Sequence, residues 1–166
     1  LLRIKEYYRK FVVSKADSHL VGTKISEWVG DFNPKDINVI PLIETMEGML
    51  NPEKIVEGYI TKAGVAEQRV WLARSDTALN YSMVSAILVN KIALQRLHAL
   101  EEKIAVKIMP ILGLGSAPFR GNLKPHNLSC LSEYPSVQTF TIQSAFKYDN
   151  DDKDVSEAVK KINDAK

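Results

Sequence analysis

The feature that most constrains this chain is an alternation, repeated four times, between a short run of apolar and branched residues and a longer segment of helical character. Residues 38–44, "NVIPLIE", form the first run. "NPEKIVEGYITKAG" follows, with Asn51 as an N-cap, Pro52 at the first helical position and Gly64 as the stop. "QRVWLARS" is the second run, and "DTALNYSMVSAILVNKIALQRLHALEEK" reads as one long helix with Val84, Ile87, Leu88, Ile92 and Leu94 on a broad apolar face. "AVKIMPILGLG" is the third run, breaking at glycines, with a helix expected in "KPHNLSCLSEY". "SVQTFTIQSAF" is the fourth, and "DKDVSEAVKKINDAK" the fourth helix, whose acidic start suits the helix dipole.

Parallel strands need crossover connections, so repeated β then α predicts an α/β fold with a parallel sheet under helical cover. The strands read as buried on both faces, as in a doubly covered sheet or a barrel. Four units are half of a TIM-type (β/α)8 barrel; an open doubly wound sheet is the alternative. Ahead of them, Leu1, Ile4, Tyr8, Phe11 and Val12 make an amphipathic helical stripe, and "VGTKISEWVGDF" suggests a second short helix. The expected organisation is a helical segment over 1–37 and four βα units over 38–166. A start on Leu1 and a stop on a helical pattern suggest a piece of a longer chain.

Composition narrows the partners. Twenty-two Lys and Arg against twenty Asp and Glu leave +2, without the basic stripe and interleaved aromatics that follow a nucleic-acid backbone. The one cysteine, Cys130, allows neither an internal disulfide nor a CxxC metal site, which fits a reducing compartment and makes the cytoplasm the expectation. Apolar stretches break well short of the ~20 residues a membrane-spanning helix needs, so no membrane partner is expected.

In parallel α/β folds the carboxyl ends of the strands converge on the ligand. The four runs end on Glu44, on Arg74-Ser75-Asp76, on "GLGSAPFRG" with Arg120, and on Gln143 and Lys147. Two acids on neighbouring strand ends suit a hard divalent cation such as Mg²⁺ or Mn²⁺, which takes oxygen ligands and often only one or two carboxylates. The same acids would also serve as rim residues paired with Arg74 or Lys147, and spacing does not separate the two. Gly113, Gly115 and Gly121 around Ser116 and Arg120 let backbone N–H groups approach an anion, and a guanidinium fork matches phosphate or carboxylate; a glycine turn with a solvated arginine is the plainer alternative. His19, His98 and His126 show no ligand spacing, Ser75 and Ser116 have no neighbouring histidine for a nucleophilic triad, and Trp28 and Trp71 read as packing residues.

Taken in order, "VIPLIETMEG", "VWLARSDTALNYS", "PILGLGSAPFRGNL" and "VQTFTIQSAFKYD" resemble phosphoenolpyruvate carboxylase in its short archaeal-type form, over about residues 38–149. Against the long bacterial and plant form, Leu79 stands where a lysine would be, and Leu112 and Leu114 replace a histidine and an arginine of the glycine loop. The resemblance implies Glu44 and Asp76 as metal-binding acids and Arg120 as the arginine of the glycine loop. Arg74 and Lys147 are carried over as further catalytic residues of the rim, and Gly113, Gly115, Ser116, Gly121 and Gln143 as substrate-binding ones. It further implies phosphoenolpyruvate and bicarbonate as substrates, oxaloacetate and phosphate as products, Mg²⁺ or Mn²⁺ as cofactor and a homo-oligomer, specifically a tetramer. The family's catalytic histidine and further arginines would lie outside this segment, which alone is expected to be inactive. A citrate-lyase or malyl-CoA-lyase type of enolate chemistry shares the "IETMEGMLN" stretch, and a non-catalytic interaction module is a third class.

Overall fold

A computed structural model describes residues 1–165. After α1 (Leu2–Tyr7), the chain continues through a π turn (Tyr8–Val12) and a 3-10 turn (Val13–Asp17). A two-stranded antiparallel hairpin, β1 (His19–Leu20) and β2 (Thr23–Lys24), and a short α2 (Ile25–Val29) follow. The hairpin occupies the start of the stretch expected to be wholly helical. The apolar stripe of the first helix is not buried either: Ile4 and Phe11 are exposed, and Phe11 stacks on Tyr7 with ring centroids 4.8 Å apart.

The βα units come next: β3 (Leu42–Ile43), α3 (Met46–Leu50) and α4 (Pro52–Ala63); β4 (Glu67–Ala73), α5 (Ser75–Tyr81) and α6 (Met83–Ile104); β5 (Lys107–Gly113) and α7 (Cys130–Glu133); β6 (Thr139–Phe140), α8 (Ser144–Tyr148) and α9 (Asp152–Asp164). The four strands are parallel and lie in the order β3-β4-β5-β6, with Ile43, Leu72, Leu112 and Phe140 in one row of the register. Sequential order combined with right-handed crossovers carries every helix to the same face.

A single core results. Ile43, Val70, Leu72, Ile108, Leu112 and Phe140 point into it from the sheet, and Val56, Ile60, Val89, Leu97, Phe146, Ala158 and Ile162 from the helices. The other face carries Leu42, Arg69, Trp71 and Thr139 and is only partly covered, with Arg69 reaching across β5 to donate to the Thr139 hydroxyl at 2.9 Å. The expectation of strands buried on both faces is therefore corrected. β4 alternates over residues 67–72 in the way a half-covered strand must, and its sequence hides this because Trp71 is apolar on the open side, where Ala73 and Ile111 are the buried exceptions. An unreversed strand order also leaves no switch point, so the sheet is singly rather than doubly wound.

Local differences have local causes. The long helix is broken at Ser82, whose φ of 87° ends α5 and whose Oγ accepts the Ser85 N–H at 3.4 Å to cap α6. Asn51 does not cap α4 with its side chain; it closes α3, its amide donating to the Glu47 carbonyl at 3.1 Å. Gly64 stops α4 in the left-handed conformation, as expected. The fourth strand is only two residues long, and its expected tail turns into α8, where Phe146 is buried in the core. In place of a helix through residues 124–134, a loop leads to the four residues of α7.

Candidate active site

A cleft of about 310 Å³ opens where the strands end. Leu42, Trp71 and Ala73 supply its floor from the open face, Arg74 and Asp76 stand on the second strand end, Gly113, Leu114 and Arg120 on the third, and Thr141 and Gln143 on the fourth. A larger hollow, about 380 Å³, lies beside α1, where Lys5 pairs with Asp36 at 2.9 Å, and none of its lining comes from the strand ends.

The two acids differ in placement. Asp76 lines the cleft from the first turn of α5, and Glu44 follows β3 immediately, two residues beyond Leu42 and outside the residues that line the cleft. Both are exposed. Among the described residues neither forms an ion pair, so the alternative that paired them with Arg74 or Lys147 does not hold. No group of three or more His, Cys, Asp or Glu side chains suited to a metal occurs among the described residues. Two carboxylates with water and substrate completing the shell remain a suitable donor set for Mg²⁺ or Mn²⁺.

The glycine loop after β5 is fastened to itself by backbone hydrogen bonds. Gly115 N–H donates to Arg120 at 2.7 Å, Arg120 N–H to Ala117 at 2.9 Å, Asn122 N–H to Ala117 at 3.0 Å, and Leu123 N–H to Gly115 at 3.0 Å. Thr141 joins its base to the fourth strand end, accepting from Leu114 N–H at 2.9 Å. Two glycines are needed for space. A Cβ on Gly115 would lie 2.3 Å from the Gln143 Oε1, so the Gln143 amide is packed over that backbone; one on Gly113 would lie 3.0 Å from the Trp71 Nε1. Gly121 has φ +108°, a conformation that side chains resist. The Ser116 hydroxyl is buried with no hydrogen-bond partner among the described residues.

Arg74 is buried, 3% exposed, although it lines the cleft. Its Nη1 donates to the Phe119 carbonyl at 2.8 Å and its Nε to the Tyr134 hydroxyl at 3.3 Å. Burial pushes the Tyr134 phenol above its ordinary range; the Arg74 guanidinium pulls the other way and Glu133 adds to the rise. Arg120 is half-buried, its guanidinium 5.4 Å from the Phe119 ring. Lys147 stands apart: it is exposed on α8, its ammonium 4.9 Å from the Tyr148 ring, and is absent from the cleft lining.

Comparison with known proteins bears on what this arrangement is for. The family model described as phosphoenolpyruvate carboxylase matches residues 1–166. The chain belongs to the phosphoenolpyruvate carboxylase family. It is 51% identical over 168 residues to the phosphoenolpyruvate carboxylase of Methanothermobacter thermautotrophicus, 47% over 165 to that of Pyrococcus abyssi and 49% over 164 to that of Halobacterium salinarum. These alignments cover 100%, 99% and 98% of this chain but 35%, 35% and 33% of the relatives, so the chain spans about a third of the carboxylases it matches. Family membership favours the carboxylase reading over the lyase and interaction-module alternatives.

Two residues that line the cleft or contact its lining were not nominated by the sequence. Trp71, taken as packing, is 39% exposed on the cleft floor; its position two residues before Ala73 on an alternating strand was the available signal. Tyr134 lies outside all four motifs and carried no signal.

Proposed function

We propose that this chain supplies part of the active site for carboxylation of phosphoenolpyruvate by bicarbonate to oxaloacetate and phosphate. Its four βα units would be one arc of a (β/α)8 barrel over 38–166, with 1–37 as a preceding segment and further strands covering the open sheet face. Support comes from the unreversed strand order, the one-sided helices and the cleft at the strand ends. The observation that carries the functional reading is the pair of exposed carboxylates, free of ion pairs among the described residues, at the ends of adjacent parallel strands beside a cleft that also holds two arginines.

In this reaction bicarbonate oxygen attacks phosphorus, giving carboxyphosphate and the enolate of pyruvate; CO₂ released from carboxyphosphate is then captured by the enolate carbon. Phosphoenolpyruvate, bicarbonate, carboxyphosphate and the enolate are all anions. Glu44 and Asp76 would hold Mg²⁺ or Mn²⁺, and Lewis-acid stabilisation of the enolate oxygen is the chemistry a divalent ion supplies there. Arg120 offers its fork to the transferring phosphoryl group and neutralises the charge that accumulates on it. Gln143 orients substrate from its seat over Gly115, and the glycine loop brings backbone close to the phosphoryl oxygens. Trp71, Leu42 and Ile142 give the cleft an apolar lining that, once further strands cover this face, would limit water and strengthen these interactions. A homotetramer in the cytoplasm completes the reading by family resemblance.

The test is made on the full-length protein. Oxaloacetate formation from phosphoenolpyruvate and bicarbonate should require Mg²⁺ or Mn²⁺, and calorimetric Mn²⁺ binding should be lost in Glu44→Gln and Asp76→Asn. Undiminished Mn²⁺ binding in both variants would remove the metal assignment.

A further inference from the structure

We propose that Tyr134 is a positioning residue for the candidate site: through Arg74 it holds the glycine loop in the place from which Arg120 faces the cleft. The inference rests on the reading of Arg120 as the phosphoryl-binding arginine and adds what sets its position. Arg74 leaves the end of β4, runs beneath the loop and ends on two oxygens from distant parts of the chain, the Phe119 carbonyl at 2.8 Å and the Tyr134 hydroxyl at 3.3 Å. Phe119 sits in the turn Pro118–Arg120 and is the neighbour of Arg120, so the first bond fixes the peptide from which that side chain leaves.

A merely architectural arginine is a poor explanation. Neither oxygen is a carboxylate, and Arg74 forms no ion pair among the described residues, so a guanidinium is kept buried on neutral acceptors, which costs stability relative to an apolar side chain of similar volume. What the charge does accomplish is geometric. A planar fork with donors in fixed directions spans both acceptors at once, and an ammonium on a flexible stem does not. Tyr134, itself buried at 1% exposure in the core beside α7, gives that fork a rigid end stop. Thr141, Leu114 and Leu123 anchor the base of the loop, while its turn at Phe119 is tied to the core through the Arg74 side chain, whose other end rests on the Tyr134 hydroxyl. Misplacing a catalytic group by about 1 Å costs up to ~10²-fold in rate, so a change at Tyr134 should be felt at Arg120 although the two need never touch.

The test uses the full-length protein with Tyr134→Phe, which keeps the ring and its packing, together with Arg74→Lys. Two readouts are taken on each. The first is steady-state carboxylation with Mn²⁺ affinity measured alongside: in Tyr134→Phe and in Arg74→Lys alike, kcat is expected to fall at least ~10-fold while Mn²⁺ binding at Glu44 and Asp76 is unchanged. The second is tryptic cleavage of the native protein at the Arg120–Gly121 bond, mapped by mass spectrometry and expected to quicken several-fold once the Phe119 peptide is released. Unchanged cleavage in Tyr134→Phe overturns the proposal, and so does quickened cleavage with wild-type kcat. If the unmutated protein does not carboxylate phosphoenolpyruvate, the functional reading fails by itself, and the cleavage rate still decides whether Tyr134 and Arg74 hold the loop.

Discussion

Replacing Gly115 by alanine should damage substrate handling far more than folding. The backbone at Gly115 is not in the left-handed region, so alanine fits its φ and the two loop hydrogen bonds through its N–H and carbonyl can persist. The new methyl, however, would stand 2.3 Å from Gln143 Oε1, 2.5 Å from its Cδ and 2.9 Å from its Nε2, all closer than side-chain contacts are found. All three atoms belong to the end of a flexible side chain. Gln143 can swing away at the expense of a rotamer change, about 0.5–1.5 kcal/mol. For a domain of this size each kcal/mol moves Tm by about 2–4 °C, so the expected loss is a few degrees. The functional effect is the departure of the amide from the cleft. One neutral hydrogen bond to substrate contributes about 0.5–1.5 kcal/mol, which sets a fall in kcat/KM for phosphoenolpyruvate of up to ~10-fold in the full-length enzyme. The deciding assay is a double-mutant cycle with Gln143→Ala. If Gly115 acts by leaving room for Gln143, then Gly115→Ala added to Gln143→Ala should cost nothing further. Full additivity of the two losses, or wild-type kcat/KM in Gly115→Ala, would refute the reasoning.

Other substitutions separate chemistry from architecture. Arg120→Ala in the full-length enzyme should lower carboxylation by ~10²–10³ with little change in Tm, since one preorganised charge-stabilising group is removed from a half-buried position; near-normal turnover would end its assigned role. Gly121→Ala should do the reverse in kind, destabilising by about 1–3 kcal/mol as seen in thermal unfolding, because φ is +108° and the new methyl would meet Leu114 Cδ2 at 2.6 Å. The Tyr134 pKa is raised from 10.0, so the folded state holds that proton more tightly than the unfolded chain; the associated stability is complete below pH 10.0 and is lost as pH rises through the folded-state value. Tyr134→Phe should therefore show a shallower decline of Tm above pH 10.0 than the unmutated protein, and parallel declines would contradict a buried, proton-retaining phenol.

The repeat of strand and helix was legible because each unit carries its own signals. Pro52 and Gly64 punctuate α4 where they were expected to, and the acidic start of α9 opens a helix from Asp152. Where local signals compete, the reading failed. A continuous apolar period masks the break at Ser82, and a β-rich "TFTIQSAF" gives only two strand residues, its tail forming α8 with Phe146 buried in the core. The half-open sheet was also hidden: Trp71 on the second face of β4 looks like core in a string of letters, yet it is exposed.

By itself the chain determined the class of fold and the set of polar residues brought to one rim, since parallel strands joined by right-handed crossovers deliver every strand end to the same side. Strand-end convergence nominated Glu44, Asp76 and Arg120 together with Arg74, Gln143 and Lys147, and it was the family resemblance that singled out the first three. Tertiary structure decided where each rim side chain lies. Arg74 and Lys147 are both cations at strand ends in sequence, yet one lies buried beneath the glycine loop and the other rests over Tyr148 outside the cleft. The difference arises from acceptors 45 and 60 positions away, Phe119 and Tyr134, which meet Arg74 only once α7 and the loop are packed. Periodicity and spacing describe a residue's neighbours along the chain, whereas the direction of a long cationic side chain is set by whichever oxygens the fold places within its reach.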